Sequence, residues 1–218
     1  MKHFLVALTL TTAGAAAASA GTVTYNTTGS TLSCGSASGC VQNTSTQITV
    51  GGITLLYSPV PSATVNATPF SIIQYGNITS TGVGNMVALD GAILSLNIFS
   101  TPPGGSGTIP GGSLVGIINT NQSGATLTFG PNNTNSIAFG SKPGVVISAG
   151  NTSILYQVNL TSLGIVPPTP GDGNPFGTTT IGGNVSDISA PEPTTVLMLG
   201  LGLGGIGLLR GKRTTKLS

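Results

Sequence analysis

The chain has 218 residues, a formal net charge of +2 and only 5% charged residues. Its basic residues are concentrated at the two ends, and residues 21–190 carry one lysine and three aspartates, a net charge of 1 − 3 = −2. Nucleic-acid binding needs clustered Lys and Arg to displace phosphate counterions, so we expect no nucleic-acid partner. Disorder is disfavoured as well, because low charge is combined here with regular apolar runs that can form a core.

The first 20 residues have the pattern of a secretory signal peptide. Lys2 and His3 precede an apolar run, and Ala18 and Ala20 form an A-x-A-type cleavage site. We expect residues 1–20 to be removed by cleavage after Ala20. An uncleaved anchor is disfavoured because the apolar run is shorter than the ~20 residues that a membrane span needs.

The chain has two cysteines, Cys34 and Cys40, in the sequence SCGSASGC. An exported chain meets an oxidising compartment, where a pair this close forms a disulfide. A metal site is the alternative, but two thiols without a nearby histidine supply too few ligands. The spacing therefore favours a Cys34–Cys40 disulfide.

Residues 21–165 are expected to form an all-β body. The clearest strands alternate apolar and polar residues, with Leu94, Leu96 and Ile98 on one face of 92–99. In 153–160, Ile154, Tyr156, Val158 and Leu160 share a face. Shorter predicted strands are 22–26, 46–50, 53–58, 70–75, 114–118, 125–129, 136–139, 145–148 and 179–188.

Turn signals separate these strands and define the expected fold. Gly51-Gly52 suits a hairpin turn, and residues 101–112 are expected to form a longer loop. Many short strands between such turns favour an antiparallel β-sandwich or jelly roll, whereas a β-solenoid lacks the fixed repeat it requires. Residues 166–189 are expected to be a Pro/Gly-rich connection or a last strand.

Few residues of this body could act in catalysis. Between residues 21 and 190 there is no His or Arg, which excludes Ser-His-Asp and Cys-His arrangements. A glycosidase would need two of the three aspartates, Asp90, Asp172 and Asp187, around one bond. We therefore expect no enzyme and no cofactor. Asp172 and Asn174, with Asp187 as a third ligand, are weak calcium candidates, although an Asp-Gly turn explains them equally well.

A carbohydrate-binding module is the alternative to a purely structural role. Such modules present aromatic platforms to sugar rings, but this chain has no Trp and four tyrosines, Tyr25, Tyr57, Tyr75 and Tyr156. The alternation around Tyr156 predicts that its ring lies in the core. Two exposed tyrosines in one groove would favour sugar binding.

The segment 190–213 reads APEPTTVLMLGLGLGGIGLLRGKR. It contains a literal G-x-G-x-x-G, but no βαβ unit surrounds it, so dinucleotide binding is disfavoured. Thr194–Leu209 is uncharged and predicts a membrane helix of about 24 Å, shorter than the ~30 Å hydrocarbon core. Arg210, Lys212 and Arg213 follow, which predicts that residues 214–218 stay in the cytoplasm.

This tail resembles a PEP-CTERM sorting signal, in which a Pro-Glu-Pro motif precedes a short apolar helix and a basic cluster. Here the motif is Pro191, Glu192 and Pro193, and the basic cluster is Arg210, Lys212 and Arg213. The resemblance implies processing by exosortase in a Gram-negative bacterium. It also implies transient residence in the inner membrane, then delivery to the cell surface or an exopolysaccharide matrix.

The body itself resembles the choice-of-anchor extracellular modules in residues 68–78 and 88–102, TPFSIIQYGNI and ALDGAILSLNIFSTP. Those modules are β-rich domains without an assigned chemistry. The sequence therefore predicts an exported, non-catalytic surface or matrix protein associated with exopolysaccharide in a biofilm. A lectin-like module is the alternative, and a glycoside hydrolase is less favoured.

Overall fold

A computed structural model describes residues 21–129, 142–159, 162–169 and 176–189 of the chain. All regular structure in these ranges is β-strand, so the predicted all-β class is confirmed. The strands are β1 (Thr22–Asn26), β2 (Thr31–Ser33), β3 (Cys40–Thr44), β4 (Gln47–Val50), β5 (Ile53–Pro59), β6 (Ala63–Asn66), β7 (Ser71–Gly82), β8 (Val87–Ala88), β9 (Ile93–Thr101), β10 (Gly105–Val115), β11 (Ile117–Asn119), β12 (Gln122–Ser123), β13 (Thr126–Phe129), β14 (Gly144–Ala149), β15 (Thr152–Val158), β16 (Ser162–Gly164) and β17 (Gly177–Asp187).

Two seven-stranded sheets form the body. Sheet A has the order β16-β13-β10-β9-β1-β6, with β2 also paired to β9, and sheet B has the order β14-β15-β17-β7-β5-β4-β3. A third, small sheet has the strand order β12-β11-β8. Every pairing between described strands is antiparallel. The two larger sheets pack face to face, so the fold is sandwich-like.

Alternation of apolar and polar residues determines which face of each strand is buried. On β9, Leu94, Leu96 and Ile98 are fully buried, as predicted. On β15, Ile154, Tyr156 and Val158 are buried too, whereas Leu160 lies outside the described residues. This period of two lets β9 contribute one side to the core and the other to solvent, whereas β15 is buried on both sides, with Leu155 and Gln157 on its second side.

The core lies between the sheets, within one compact unit that spans Gly21–Ser189. Two glycines of β10 let the sheets approach closely at one point. A Cβ atom on Gly107 would come within 2.6 Å of Val145 Cγ2 on β14, and one on Gly105 within 3.1 Å of Ile147 Cγ2. Glycine is therefore required at Gly107 by packing.

Two predictions about turns have different outcomes. Gly51-Gly52 does form a hairpin turn, with φ of +54° and +88° between the paired residues Val50 and Ile53, as such turns require. The long loop predicted over 101–112 is wrong, because strand β10 begins at Gly105. Pairing with β9 on one side and β13 on the other holds this Gly-rich segment extended despite its low strand propensity.

The strand predicted over 114–118 is interrupted at Gly116, which has a φ of +101° and separates β10 from β11. The last strand predicted over 179–188 is confirmed as β17, which lies between β15 and β7 in sheet B.

Several predicted segments lie outside the described residues. They are the strand at 136–139, the signal peptide 1–20 with Ala18 and Ala20, and the tail 190–218 with its motif, helix and basic cluster. Within the described ranges, the chain contains no helix with the length and hydropathy of a membrane span.

The Cys34–Cys40 disulfide is present, with the two Cα atoms 5.6 Å apart. Its loop packs against the turn that precedes β9, where the Ser36 N–H donates to the Gly91 carbonyl at 3.1 Å. A Cβ on Gly35 would come within 2.0 Å of the same carbonyl oxygen. The disulfide therefore closes a loop whose backbone is held against the turn before β9 by the Ser36–Gly91 hydrogen bond.

Replacing both cysteines by serine should destabilise the protein by about 2 kcal/mol, the chain-entropy value for a loop this short. Urea unfolding of the wild type and of the double variant measures the difference. Reduced wild-type protein is the matched control, and it should unfold at the same urea concentration as the variant. Equal stability of the oxidised and reduced proteins would contradict this role.

Candidate functional site

The described aspartates stabilise local backbone structure. Asp90 Oδ1 accepts a hydrogen bond from the Gly116 N–H at 2.6 Å. Asp187 Oδ1 accepts from the Ser189 N–H at 2.9 Å and from Ser189 Oγ at 2.5 Å. The weak calcium candidates Asp172 and Asn174 lie outside the described residues, and no cluster of three or more His, Cys, Asp or Glu occurs within the described ranges.

Asp90 and Asp187 lie near opposite ends of β9. Asp90 precedes the first residue of this strand, whereas Asp187 lies beside Gly21 at the start of β1, next to the strand's other end. A nine-residue strand extends roughly 30 Å, far beyond the ~5–9.5 Å between the carboxyls of a glycosidase. These two carboxyls therefore do not form a glycosidase pair.

All four tyrosines are buried, so none of them offers a platform to a sugar. Tyr25 is 3% exposed, and Tyr57, Tyr75 and Tyr156 are 1% exposed or less. The prediction that Tyr156 lies in the core is confirmed, and the two exposed tyrosines that would have favoured sugar binding do not occur.

The tyrosine hydroxyls form hydrogen bonds inside the sandwich. The Tyr25 hydroxyl on sheet A donates to the Gln74 carbonyl on sheet B at 2.8 Å. The Tyr75 hydroxyl donates to the Gln157 carbonyl at 3.0 Å, and the Tyr156 hydroxyl pairs with Ser100 Oγ at 2.7 Å. Burial raises the pKa of Tyr156 to about 12 and raises the pKa of Tyr75 well above its usual value. These hydroxyls act as neutral hydrogen-bonding groups: those of Tyr25 and Tyr156 join the two sheets, and that of Tyr75 joins two strands of sheet B.

A small open cavity of about 180 Å³ is lined by residues of both sheets: Phe129, Val158, Asn159, Leu163, Thr180, Ile181 and Gly182. Its lining is mostly apolar. The Asn159 N–H is already bonded to the Gly182 carbonyl at 3.0 Å. The lining residues include no charged group.

The outer face of sheet B is rich in threonine. Thr54 and Thr81 are register partners, as are Thr79 and Thr178. Some of these hydroxyl groups bond to one another, as in the 2.9 Å contact between Thr49 and Thr54. Asn43 Nδ2 also donates to Thr49 Oγ1 at 2.7 Å. This face is neutral and satisfies part of its hydrogen-bonding capacity internally.

The outer face of sheet A combines neutral polar residues with one exposed aromatic ring. Phe99 on β9 is 40% exposed. Its register partners are Asn26 on β1 and Ser106 on β10, and Asn97 on the same strand is paired with Thr108. We call the group formed by Asn26, Asn97, Phe99, Thr101, Ser106 and Thr108 the Phe99 face.

Phe99 is not among the site residues predicted from the sequence, although the pattern of β9 indicates its exposure. Alternation that places Leu96 and Ile98 in the core also places Phe99 on the opposite side of β9. Phe99 is the aromatic residue on this side of β9, next to Asn97 and Thr101, with Ile93 as an exposed apolar residue at the strand's start. Its neighbours Asn26 and Ser106 become visible only from the strand register.

Comparison of the chain with protein family models, with curated proteins and with solved structures found no match.

Because folding raises the pKa of the tyrosines, the protein should lose stability at alkaline pH. An unfolded tyrosine has a pKa of about 10, so the unfolded chain releases these protons first. Stability should thus be unaffected by the tyrosines below about pH 10 and should fall as the pH rises towards 12.

Urea unfolding across this pH range, together with tyrosinate absorbance, measures the effect. The variant Tyr156→Phe removes one such group and should show a shallower decline. Tyrosinate absorbance that develops fully near pH 10, with the fold intact, would contradict the burial of these hydroxyls.

Proposed function

We propose that this chain is an exported, non-catalytic protein of a Gram-negative cell surface or extracellular matrix. In this proposal it has a jelly-roll-like sandwich between a signal peptide and a PEP-CTERM signal. Exosortase processes that signal near Pro191, Glu192 and Pro193 while the short helix rests in the inner membrane. The mature protein is then associated with exopolysaccharide in a biofilm.

The observation that carries this proposal is the neutrality of the sandwich surface. Among the described residues, only Asp90, Lys142 and Asp187 are charged, and both outer faces are covered mainly by Thr, Ser and Asn. Hydroxyl and amide groups exchange hydrogen bonds with polysaccharide hydroxyls as readily as with water. Such a surface suits a hydrated sugar matrix and offers little to highly charged partners.

The disulfide supports an exported location. Cystine bridges persist in oxidising compartments and are rare in the cytosol of most organisms. The bond between Cys34 and Cys40 closes a loop whose backbone already contacts the start of β9, so oxidation is compatible with the fold.

The surroundings of Gly21 also suit cleavage after Ala20. The Gly21 nitrogen donates to Thr68 Oγ1 at 3.2 Å, and a Cβ atom at this position would come within 2.8 Å of Asp187 Oδ2. Cleavage would convert this nitrogen into an ammonium group close to the Asp187 carboxylate. The mature N-terminus would then gain a favourable electrostatic partner.

Mass spectrometry of the protein isolated from its native host tests the processing route. We expect loss of residues 1–20 and of everything after about residue 193. In a control variant with Pro191, Glu192 and Pro193 replaced by alanine, the C-terminus should remain intact and the protein should stay in the membrane. An intact C-terminus in the membrane fraction of the wild type would instead indicate a plain anchor.

Carbohydrate binding is the second function that an observation favours. Phe99 supplies the exposed aromatic ring that the tyrosines do not, and it is surrounded by amide and hydroxyl groups. A glycoside hydrolase is not proposed, since Asp90 and Asp187 lie near opposite ends of β9.

A further inference from the structure

The Phe99 face extends across three neighbouring strands of sheet A. Asn26, Phe99 and Ser106 form one row across β1, β9 and β10, and Asn97 and Thr108 begin the next row. Strands lie about 4.8 Å apart and alternate residues about 6.7 Å apart along a strand. The face therefore spans about 10 Å across the strands and about 13 Å along β9, enough for a short run of sugar rings.

The position of the Phe99 ring is fixed from one side by the connection between β1 and β2. A Cβ atom on Gly29 would come within 2.9 Å of Phe99 Cε2 and within 2.8 Å of Asn97 Nδ2. A side-chain contact holds this connection in place, since Ser30 Oγ accepts a hydrogen bond from the Asn97 N–H at 2.9 Å. A side chain at position 29 would therefore displace both the Phe99 ring and the Asn97 amide.

Several polar groups beside the ring are free to bind a ligand. Within the described residues, Asn26 Nδ2, Asn97 Nδ2, Thr101 Oγ1 and Ser106 Oγ have no hydrogen-bond partner. The amide oxygens are used, because Asn26 Oδ1 accepts from Thr28 Oγ1 at 2.8 Å and Asn97 Oδ1 accepts from Thr108 Oγ1 at 3.4 Å. Donor groups are thus left to face solvent next to an exposed aromatic surface.

The charge of the face selects among ligand classes. The strands β1, β6, β9 and β10 contain no Asp, Glu, Lys, Arg or His, so this region offers no cation to a uronate, sulfate or phosphate group. An apolar protein partner would need a larger contiguous apolar patch than one partly exposed ring supplies. A neutral sugar polymer needs neither a cation nor a large apolar patch, because its C–H faces stack on aromatic rings and its hydroxyls accept hydrogen bonds.

We propose that the Phe99 face is a binding site for a neutral polysaccharide, with Phe99 stacking on a sugar ring while Asn26, Asn97, Thr101 and Ser106 bind its hydroxyls. This inference rests on the proposed matrix function and names its ligand class and its site.

Binding of neutral oligosaccharides to the exported protein, expressed from the full-length chain, tests the proposal. Isothermal titration with cellohexaose, xylohexaose and mannohexaose should detect binding of at least one of them. Phe99→Ala should weaken that binding about tenfold. This factor corresponds to the loss of one aromatic stacking contact at the upper end of the usual range of strengths. Phe99→Trp should retain or tighten it.

Phe70→Ala is the matched control, because Phe70 is 59% exposed but belongs to the segment just before β7, on another part of the surface. This variant should bind as the wild type does. Gly29→Ala should weaken binding by moving the ring and Asn97, with the urea midpoint reporting that the fold is kept. Because the contacts are neutral, affinity should change little between about 0.05 and 0.5 M salt.

Four results would overturn the proposal. They are no binding to any of the three neutral probes, equal losses in the Phe99 and Phe70 variants, tighter binding of hexagalacturonic acid, and self-association that Phe99→Ala abolishes. The last result would assign the face to a second copy of the chain. Correct processing and matrix retention without sugar binding would overturn this site alone, whereas a membrane-retained intact tail would overturn the proposed function.

Discussion

Buried tyrosine hydroxyls hold the two sheets in one relative position, and the rest of the structure depends on that position. Tyr25 crosses from sheet A to a carbonyl of sheet B, and Tyr156 crosses from sheet B to Ser100 of sheet A. Each such bond adds only about 1 kcal/mol net, but a buried hydroxyl left unpaired costs about 1–3 kcal/mol. A shifted stacking of the sheets would leave several hydroxyls unpaired at once, so the observed stacking is strongly preferred.

This arrangement determines which aromatic residues are available for binding. The chain has four tyrosines, six phenylalanines and no tryptophan, and the tyrosines are all committed to the core. A ring that meets a ligand must therefore be a phenylalanine. Strand β9 supplies it, because the alternation that buries Leu96 and Ile98 turns Phe99 to the opposite side. One strand thus supplies both core packing and the exposed ring.

The sequence predicted those parts of the fold in which bulky residues alternate. Strands β1, β9 and β15 and the Gly51-Gly52 turn follow from local pattern alone. Strand β10 did not, because its Gly, Ser and Thr residues have little preference for a strand, and its extended form comes from two neighbouring strands. The Phe99 face could not be predicted from the sequence either, because it also depends on which strands become neighbours in the fold. Asn26 lies 73 positions from Phe99 in sequence, and only the strand register makes them neighbours.

The neutrality of the surface also limits how strongly one copy can bind. Each sugar hydroxyl that meets Asn97 or Ser106 gives up a hydrogen bond with water, so the net gain per contact is small. The stacking contact with Phe99 is the main favourable contribution to the binding free energy, because water offers the sugar no equivalent contact. Affinity at a single face should therefore be modest. In the proposed matrix role a repeating polymer would offset this weakness, because it offers many equivalent sites at a high local concentration, so that a copy that dissociates can bind again nearby.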